Sequence, residues 1–383
     1  MRLYDPNRRI NIINIPIWEN SESLNLTELK NDTVVDYCLI GLGGSGLSAS
    51  RRLLELGVDF IAIDAKTVAA GAAGRNGGFL LAGSSAFYHD AIKELGHERA
   101  KAIYDLTLAE LELFKEQSPE AVNLNGSLRI ASDEKELADI EEQYLAMKAD
   151  NLLVEIYEGI EGKGILVPTD GSFNPLLRAR IVAKELLAKG VRFYENTPAI
   201  KINEREIITP KAKIRAKKII VAVDGGLENL LPELVGQVRT ARLQMLATSP
   251  TKEINIPRPS YLRYGYEYYQ QLANGSIALG GFRDFGANNE WTFDNSPTEL
   301  VQDRLEQYLR NNLNVQADIT HRWAASVAYS KSILPVFTKL RKNLYVIGAY
   351  NGTGNIIGSI LGRAVADLAV SGESEVYKIF NQG

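Results

Sequence analysis

The pattern of apolar and polar positions near the start of the chain predicts a βαβ unit. Residues 34–40 form a short, nearly continuous apolar run, which is typical of a parallel strand buried on both faces. A glycine-rich turn follows, and an amphipathic helical pattern then runs over about 47–56 until Gly57 ends it. A second apolar run over 58–63 ends at Asp64 and completes the unit.

Further along the chain, the same periodicities predict more helices and two kinds of strand. Helices are expected over 91–116, 133–149, 174–189, 297–312 and 356–370. Asn174 and Pro175 supply the cap and first position of one helix, and a capping box from Ser296 to Glu299 is expected to start another. Short buried strands are expected over 126–131, 191–194, 199–202, 218–223 and 344–347, and longer aromatic-rich strands over 239–247, 260–269, 276–281 and 318–328.

Composition narrows the class of protein. The 383 residues are 45% apolar and 23% charged with a formal net charge of −4, so neither a nucleic acid nor a membrane surface is expected as a partner. The single cysteine, Cys38, excludes an internal disulfide and a CxxC pair, and the three scattered histidines make a metal site unexpected. No apolar run has the length of a secretory signal core or a membrane span, so a cytoplasmic location is expected.

The glycine-rich turn has the spacing of a dinucleotide-binding fingerprint. Gly41, Gly43 and Gly46 stand between a strand and a helix, and Asp64 ends the next strand 18 residues after Gly46. The three glycines would allow a tight turn, close approach of the main chain to a pyrophosphate, and close helix packing, while Asp64 would accept hydrogen bonds from a ribose. The fingerprint alone does not separate FAD from NAD, and a glycine-rich connection that binds nothing is the alternative interpretation.

We therefore predict an α/β fold with a discontinuous Rossmann-like domain and an inserted, mainly antiparallel β domain of α+β type. The Rossmann-like domain is assigned to 30–88, 151–235 and 330–383. The inserted domain is assigned to 89–150 and 236–329, and 1–29 form an N-terminal extension.

A run of small residues over 70–78, Ala-Gly-Ala-Ala-Gly-Arg-Asn-Gly-Gly, decides between the two cofactors. Together with the fingerprint it resembles the FAD-binding amine and amino-acid oxidases of the glycine-oxidase/D-amino-acid-oxidase superfamily, and its last five residues are most similar to the γ-glutamylputrescine oxidase group. Segments 126–128, 170–175, 262–281 and 348–354 carry the same resemblance, which covers about 15–372.

The resemblance implies a two-domain flavoenzyme with an extended FAD. It places residues 74–78 beside the isoalloxazine, 352–356 near the pyrimidine edge of the flavin, and Ala199 and Ala222 along the adenosine half. The residues expected at the cofactor are Gly41, Gly43, Gly44, Ser45, Gly46, Asp64, Ala65, Gly74, Arg75, Asn76, Gly77, Gly78, Phe79, Ala199, Ala222, Val223, Gly348, Gly352, Thr353, Gly354, Asn355 and Ile356. Covalent attachment is not expected, because Cys38 lies in the first strand and His89 and His97 have no match.

The glycine-rich turn at 348–358 should lead into a helix whose N-terminus faces flavin N1 and the C2 carbonyl, where its dipole would favour reduction. Close packing of a helix on the sheet is the alternative interpretation of this segment. Gly358 and Gly362 are assigned to packing because they lie four residues apart on one helical face.

The expected chemistry is oxidation of a carbon–nitrogen bond. Flavin N5 accepts a hydride from the carbon next to nitrogen, and the resulting imine is hydrolysed. No acid/base pair can be identified. Oxygen is the expected electron acceptor, with Lys331 or Arg263 helping its reduction, and transfer to a quinone or carrier protein is the alternative.

Candidates for the substrate site come mainly from the inserted sheet. Alternation along 260–269 would place Leu262, Tyr264, Tyr266 and Tyr268 on one face, where an aromatic wall could hold an amine; core packing is the alternative. The substrate candidates are Arg263, Tyr264, Tyr266, Arg283, His321, Trp323 and Tyr350, and Tyr329 and Lys331 are considered with them.

One departure from the family pattern bears on the substrate. Amino-acid oxidases of the superfamily often carry Trp-x-Gly-Leu-Arg-Pro, whose arginine clamps the substrate carboxylate, but residues 323–328 here contain no arginine. This argues against a simple α-amino acid, although Arg263 or Arg283 could restore a carboxylate site elsewhere.

Three other classes stay open at this point. A related FAD-dependent domain modifies tRNA, but the acidic charge balance speaks against it. A flavin-binding protein without turnover and an NAD-dependent dehydrogenase are the others, and neither the amine nor the oligomeric state can be read from the sequence.

Overall fold

The computed structural model describes residues 13–19 and 22–381, so the predicted N-terminal extension lies partly outside the described residues. In chain order the strands are β1 (Thr33–Ile40), β2 (Phe60–Ile63), β3 (Phe79–Leu80), β4 (Val122–Asn123), β5 (Ser127–Ile130), β6 (Glu155–Gly159), β7 (Gly162–Val167), β8 (Gly171–Phe173), β9 (Arg192–Tyr194), β10 (Lys201–Ile202), β11 (Glu206–Ile208), β12 (Lys213–Ala222), β13 (Val238–Thr248), β14 (Ser260–Leu262), β15 (Glu267–Gln271), β16 (Ile277–Gly281), β17 (Ile319–Ser330), β18 (Val336–Arg341) and β19 (Leu344–Gly348).

The α-helices are α1 (Gly44–Glu55), α2 (Tyr88–Leu95), α3 (His97–Gln117), α4 (Glu134–Ala149), α5 (Pro175–Ala188), α6 (Leu227–Leu230), α7 (Arg283–Gly286), α8 (Glu299–Asn311), α9 (Ile356–Ser371) and α10 (Glu375–Asn381). No helix in the described part of the chain is both long and apolar enough to cross a membrane.

The first sheet contains the predicted βαβ unit. Its strand order is β10-β11-β12-β1-β2-β9, with β19 on the far side of β12 and β18 beyond it. Strands β9, β2, β1, β12 and β19 run parallel, as their nearly continuous apolar sequences predict. Their carboxyl ends therefore lie at one edge, which is where ligands bind in open α/β sheets.

The second sheet is the predicted, mainly antiparallel one. Its order is β17-β13-β16-β15-β14-β5-β7-β6, and only the β14–β5 pair is parallel. Strands β6 and β7 pair here, although 155–167 fall within a segment assigned to the Rossmann-like domain. We propose that the boundary after the first inserted segment lies near residue 168 instead of 150. The other domain bounds remain predictions.

Three local predictions are wrong. Gly96, with φ of 83°, divides the single helix predicted over 91–116 into α2 and α3. Helix α8 begins at Glu299, and its N-cap residue Thr298 makes no side-chain cap bond, so there is no capping box at Ser296. The Thr298 hydroxyl instead accepts a hydrogen bond from Gln244 on β13, a tertiary contact that no local pattern could signal.

The third wrong prediction is the continuous strand over 260–269. A 3₁₀ turn at Arg263–Gly265 separates β14 from β15, and Tyr264 has φ of 55°. Because the two strands form a hairpin, Tyr261 pairs with Tyr268, and the predicted row of alternating tyrosines does not exist.

Candidate cofactor and substrate site

The fingerprint turn is packed so closely that only glycine fits at two of its positions. Gly41 has φ of 109°, and a Cβ on it would lie 2.3 Å from the carbonyl oxygen of Ala222. A Cβ on Gly46 would lie 1.9 Å from the carbonyl oxygen of Gly41. Gly44, by contrast, has no atom within 4 Å of its Cβ position. The turn is therefore tight against β12 and open on the side where the N-terminus of α1 could receive an anion.

Asp64 ties the end of β2 to this turn. One carboxylate oxygen accepts from the backbone N–H of Leu42 at 2.7 Å, and the other accepts from that of Lys66 at 2.9 Å. Burial raises the pKa of Asp64, while the two N–H donors act in the opposite direction. Asp64 thus holds the turn in shape and also borders the cavity described next.

A cavity of about 1130 Å³ joins the carboxyl edge of the first sheet to the face of the second sheet. Most of the residues predicted to bind the cofactor line it: Gly41, Gly43, Gly44, Ser45, Asp64, Ala65, Arg75, Asn76, Gly77, Phe79, Ala199, Ala222, Val223, Gly352, Thr353, Gly354, Asn355 and Ile356. Its volume exceeds that of a pocket for one drug-sized ligand, which leaves room for a dinucleotide together with a substrate.

Four predicted cofactor residues lie outside the cavity lining, namely Gly46, Gly74, Gly78 and Gly348. In each case a Cβ would collide with a backbone oxygen, at 1.9 Å for Gly46 and between 2.2 and 2.5 Å for the other three. These glycines serve close approach of two main-chain segments, which is a packing role.

Side chains of the second sheet hold the loop that follows the 3₁₀ turn at Ala72–Gly74. The Arg75 guanidinium donates to the carbonyl oxygens of Ala324 at 2.8 Å and Asn14 at 3.0 Å. The indole N–H of Trp323 donates to the Arg75 carbonyl at 2.8 Å, and Gln270 donates to the Gly77 carbonyl at 2.5 Å. Side chains from β15 and β17 therefore hold this loop between the two sheets.

Asn76 links the same loop to the start of α9. Its side-chain amide donates to the Asn355 side chain at 3.0 Å, and its oxygen accepts from the Gly78 N–H at 2.9 Å. Asn355 in turn donates to the carbonyl of Phe79 at 3.0 Å. Since Asn355 is the residue before α9, the loop and the positive end of that helix border the cavity as one unit.

Helices α1 and α9 pack against each other through small residues. A Cβ on Gly362 would lie 2.2 Å from the Ser45 carbonyl, and the Ser48 hydroxyl donates to the Ser359 carbonyl at 2.7 Å. The packing role predicted for Gly362 is confirmed. The close contact also brings the N-termini of both helices to the same cavity.

Asp224 is a lining residue that the sequence predictions missed. Its carboxylate accepts from the backbone N–H groups of Ala328 at 3.1 Å and Tyr350 at 3.2 Å, so it joins the ends of β12, β17 and β19. Desolvation raises the pKa of Asp224 to about 6, against the effect of those donors. Its position two residues after a buried parallel strand was the available signal.

The structure divides the substrate candidates into two groups. Tyr264, Tyr266, Arg283, Tyr329, Lys331 and Tyr350 line the cavity. Arg263, His321 and Trp323 do not line it, so the structure does not bring these three candidates to the cavity.

Each of these three side chains has another environment. Arg263 forms ion pairs with Glu267 at 2.6 Å and Asp284 at 2.8 Å. Trp323 is fully buried and bonded to the Arg75 loop. A ring nitrogen of half-buried His321 contacts the Thr320 hydroxyl at 2.8 Å, and burial lowers the pKa of this histidine.

An aromatic cluster that spans the β14–β15 hairpin forms one wall of the cavity, at the end proposed below to receive substrate. Tyr261 and Tyr268 stack with ring centroids 5.8 Å apart, and the edge of Phe79 meets them at 5.2 and 5.7 Å. Burial raises the pKa of Tyr261 to about 12 and raises that of Tyr268 as well, so both phenols are neutral near pH 7. A Cβ on Gly77 would lie 2.9 Å from the Tyr268 ring, which places this wall against the loop.

Fold and cavity together define a dinucleotide-dependent protein with a Rossmann-like sheet and a second sheet that borders the same cavity. The chain belongs to the FAD dependent oxidoreductase family, whose model matches residues 36–368. FAD is therefore its cofactor, and the predicted superfamily, fold class and enzyme class are confirmed.

Individual proteins are similar over nearly the whole chain. The γ-glutamylputrescine oxidoreductase of Escherichia coli is 25% identical over 378 residues, which cover 92% of this chain and 87% of that protein. A probable oxidoreductase of Haemophilus influenzae is 24% identical, with 93% and 86% covered.

Solved structures share the fold at lower identity. The glycine oxidase of Geobacillus kaustophilus superposes with a TM-score of 0.74 at 16% identity, with 90% of this chain and 96% of that chain covered. The L-proline dehydrogenase of P. horikoshii gives a TM-score of 0.72 at 17% identity, with 91% and 96% covered.

Proposed function

We propose that the protein oxidises the carbon–nitrogen bond of an amine or amino-acid derivative, giving an imine. When bound, FAD would accept the hydride from the carbon next to nitrogen at its N5 position. The observation that carries the proposal is the single cavity that joins the dinucleotide turn, the 74–78 loop and the tyrosine wall of the second sheet. The amine named for the E. coli relative supports the class of substrate.

The residues of this chain would act by binding, positioning and exclusion of water. The Phe79, Tyr261 and Tyr268 rings form an apolar wall against which the reacting carbon can be held. The start of α9 borders the cavity, and the positive end of its helix dipole would stabilise negative charge that develops on the reduced cofactor. We propose no acid/base residue.

We propose non-covalent attachment of FAD and oxygen as the electron acceptor. Cys38 is buried inside β1, where burial raises the pKa of its thiol to about 12, and neither it nor His89 nor His97 lines the cavity. Lys331 lines the cavity and Arg263 does not, so Lys331 is the candidate that assists oxygen reduction. Transfer of electrons to a quinone or carrier protein is the alternative, and a cytoplasmic location remains a proposal from composition.

Anaerobic reduction tests the proposal directly. Purified protein is mixed with putrescine derivatives, N-methyl amino acids, glycine and larger amines while the flavin absorbance near its visible maximum is followed. We expect at least one amine to bleach the flavin, and failure of the whole panel would contradict the proposal.

Re-oxidation then separates the acceptors. Admitting air to the bleached enzyme should restore the absorbance with release of hydrogen peroxide. Restoration by an artificial dye or quinone but not by air would contradict the oxidase proposal and support a dehydrogenase.

A further inference from the structure

Arg283 is a cavity-lining cation held by aromatic rings. Arg283 is the first residue of α7 and follows the end of β16 by two residues. Its guanidinium carbon lies 4.8 Å from the Trp291 ring centroid and 5.0 Å from that of Tyr329, and it lines the cavity. The Tyr266 ring lies 5.7 Å away. None of the carboxylates in the described part of the chain forms an ion pair with Arg283.

Two neighbouring arginines of the second sheet form ion pairs with carboxylates, whereas Arg283 does not. Arg242 pairs with Glu290 at 2.9 Å. Arg263 forms an ion pair at 2.8 Å with Asp284, the residue that follows Arg283 in the sequence. The phenol of Tyr329 interacts with Arg283, but burial raises the pKa of that phenol, so it stays neutral and leaves the positive charge uncompensated.

The other cations at this end of the cavity are already compensated or hydrated. Arg129 donates to Gln143 at 3.1 Å and interacts with the buried carboxylate of Asp170. Lys331 is exposed to solvent. A guanidinium remains charged at any pH that the protein tolerates. It has five N–H donors, more than the Tyr329 phenol can accept, so donors remain available to a planar anion.

Arg283 lies at a more exposed part of the cavity lining than the rings beside the loop where the flavin ring is proposed to lie. Tyr266, beside Arg283, is 39% exposed, and Tyr264 is 49% exposed, so this end of the cavity opens to solvent. Tyr268, which contacts Gly77, is only 9% exposed. A ligand that reaches both places needs an anionic group away from the carbon that reacts.

We propose that Arg283 binds a carboxylate of the substrate, and that the amine oxidised by this protein therefore carries a carboxylate remote from the reacting carbon. This inference rests on the proposed function. It also accounts for the absence of arginine from residues 323–328, because the anion is received by α7 and not by β17.

Matched ligands and matched arginines test the inference. Straight-chain ω-amino carboxylates of increasing length are each compared with the corresponding carboxamide. The apparent Kd of each compound is taken from anaerobic flavin bleaching. Glutarate, which carries no amine and cannot be oxidised this way, is titrated in parallel while the flavin absorbance spectrum is followed.

For the wild-type enzyme we expect the best carboxylate to bind about 10- to 100-fold more tightly than its carboxamide. Arg283→Gln should abolish that difference and the glutarate response, and Arg283→Lys should retain part of both. Arg239→Gln is the control, because Arg239 stacks on the same Trp291 ring at 4.3 Å but does not line the cavity.

Equal affinity for carboxylate and carboxamide, or an equal loss in Arg239→Gln, would overturn the inference while leaving amine oxidation intact. A glutarate response that needs Arg283, in a protein whose flavin no amine bleaches, would support the anion site and contradict the proposed function alone. Because the ligand comparison uses wild-type protein, the test survives even if a variant fails to fold.

Discussion

The two ends of the cavity are built from different parts of the chain. At the dinucleotide end, main-chain segments of the first sheet meet at glycines 41 and 46, and hardly any side chain intervenes. At the substrate end, side chains of the second sheet form the surface: stacked Tyr261 and Tyr268, and Arg283 among its aromatic rings. We propose that the first end binds the phosphate and ribose of the cofactor, whereas the second end distinguishes one substrate from another.

The difference predicts opposite tolerance to small changes. A backbone cradle fails when one methyl group is added, because no rotamer can move it aside. A side-chain wall can lose or exchange a group and still leave the fold intact, with the consequence appearing in ligand affinity.

The largest effect should come from Gly46→Ala. Its new Cβ would lie 1.9 Å from the Gly41 carbonyl, so α1 must move away from β1, and we expect a loss of about 4 kcal/mol or more in the free energy of unfolding. Flavin should be missing from the purified variant. Gly44→Ala is the matched control, since no atom lies within 4 Å of its Cβ position. Equal stability of the two variants in chemical unfolding would contradict the claim that only glycine fits at position 46.

Asp224 should make stability depend on pH at the junction of the two ends. Its pKa of about 6 lies above the ordinary value near 4, so the folded protein holds a proton that the unfolded chain releases between those values. Stability relative to Asp224→Asn should therefore fall as pH rises from about 4 to about 6, by up to about 3 kcal/mol, and level off above. Urea unfolding across this range is the measurement, and parallel curves would show that Asp224 ionises normally.

A smaller effect is expected for Tyr350→Phe. The Tyr350 ring packs on Gly354 at the start of α9, and its buried hydroxyl makes no hydrogen bond in the structure although Ser45 lies close. We expect this hydroxyl to bond to the cofactor, so the variant should bind FAD about tenfold more weakly while the apoprotein becomes about 1 kcal/mol more stable. Tyr345→Phe, on β19 and outside the cavity, is the control; unchanged FAD affinity in Tyr350→Phe would refute the expectation.

The smallest effect should come from His321→Gln. This histidine is on β17 but outside the cavity lining, so anaerobic flavin reduction should change by less than about twofold and its pH profile should not shift. A displaced profile would mean that His321 takes part in proton transfer, and the substrate end would then need a different description.

Local sequence was sufficient where one residue type is demanded by geometry. The fingerprint glycines, the Asn174 cap, whose oxygen accepts from the Leu177 N–H at 3.0 Å, and the parallel strands were all predicted correctly. The tyrosine hairpin was not, because alternating aromatic residues fit a continuous strand equally well and only the pairing of β14 with β5 and β15 breaks it at Arg263. Hairpin β6–β7 belongs to the second sheet because β7 pairs with β5. No local pattern indicated that pairing either.

By itself the sequence determined the cofactor end of this protein, since glycine spacing and buried apolar runs act over distances of a few residues. Tertiary structure decided which arginine lines the cavity without a carboxylate partner: Arg263 and Arg283 lie twenty residues apart and look alike in the sequence, yet Asp284 pairs with the first. Ion pairing and burial depend on what distant segments bring into contact, and no pattern along the chain records that.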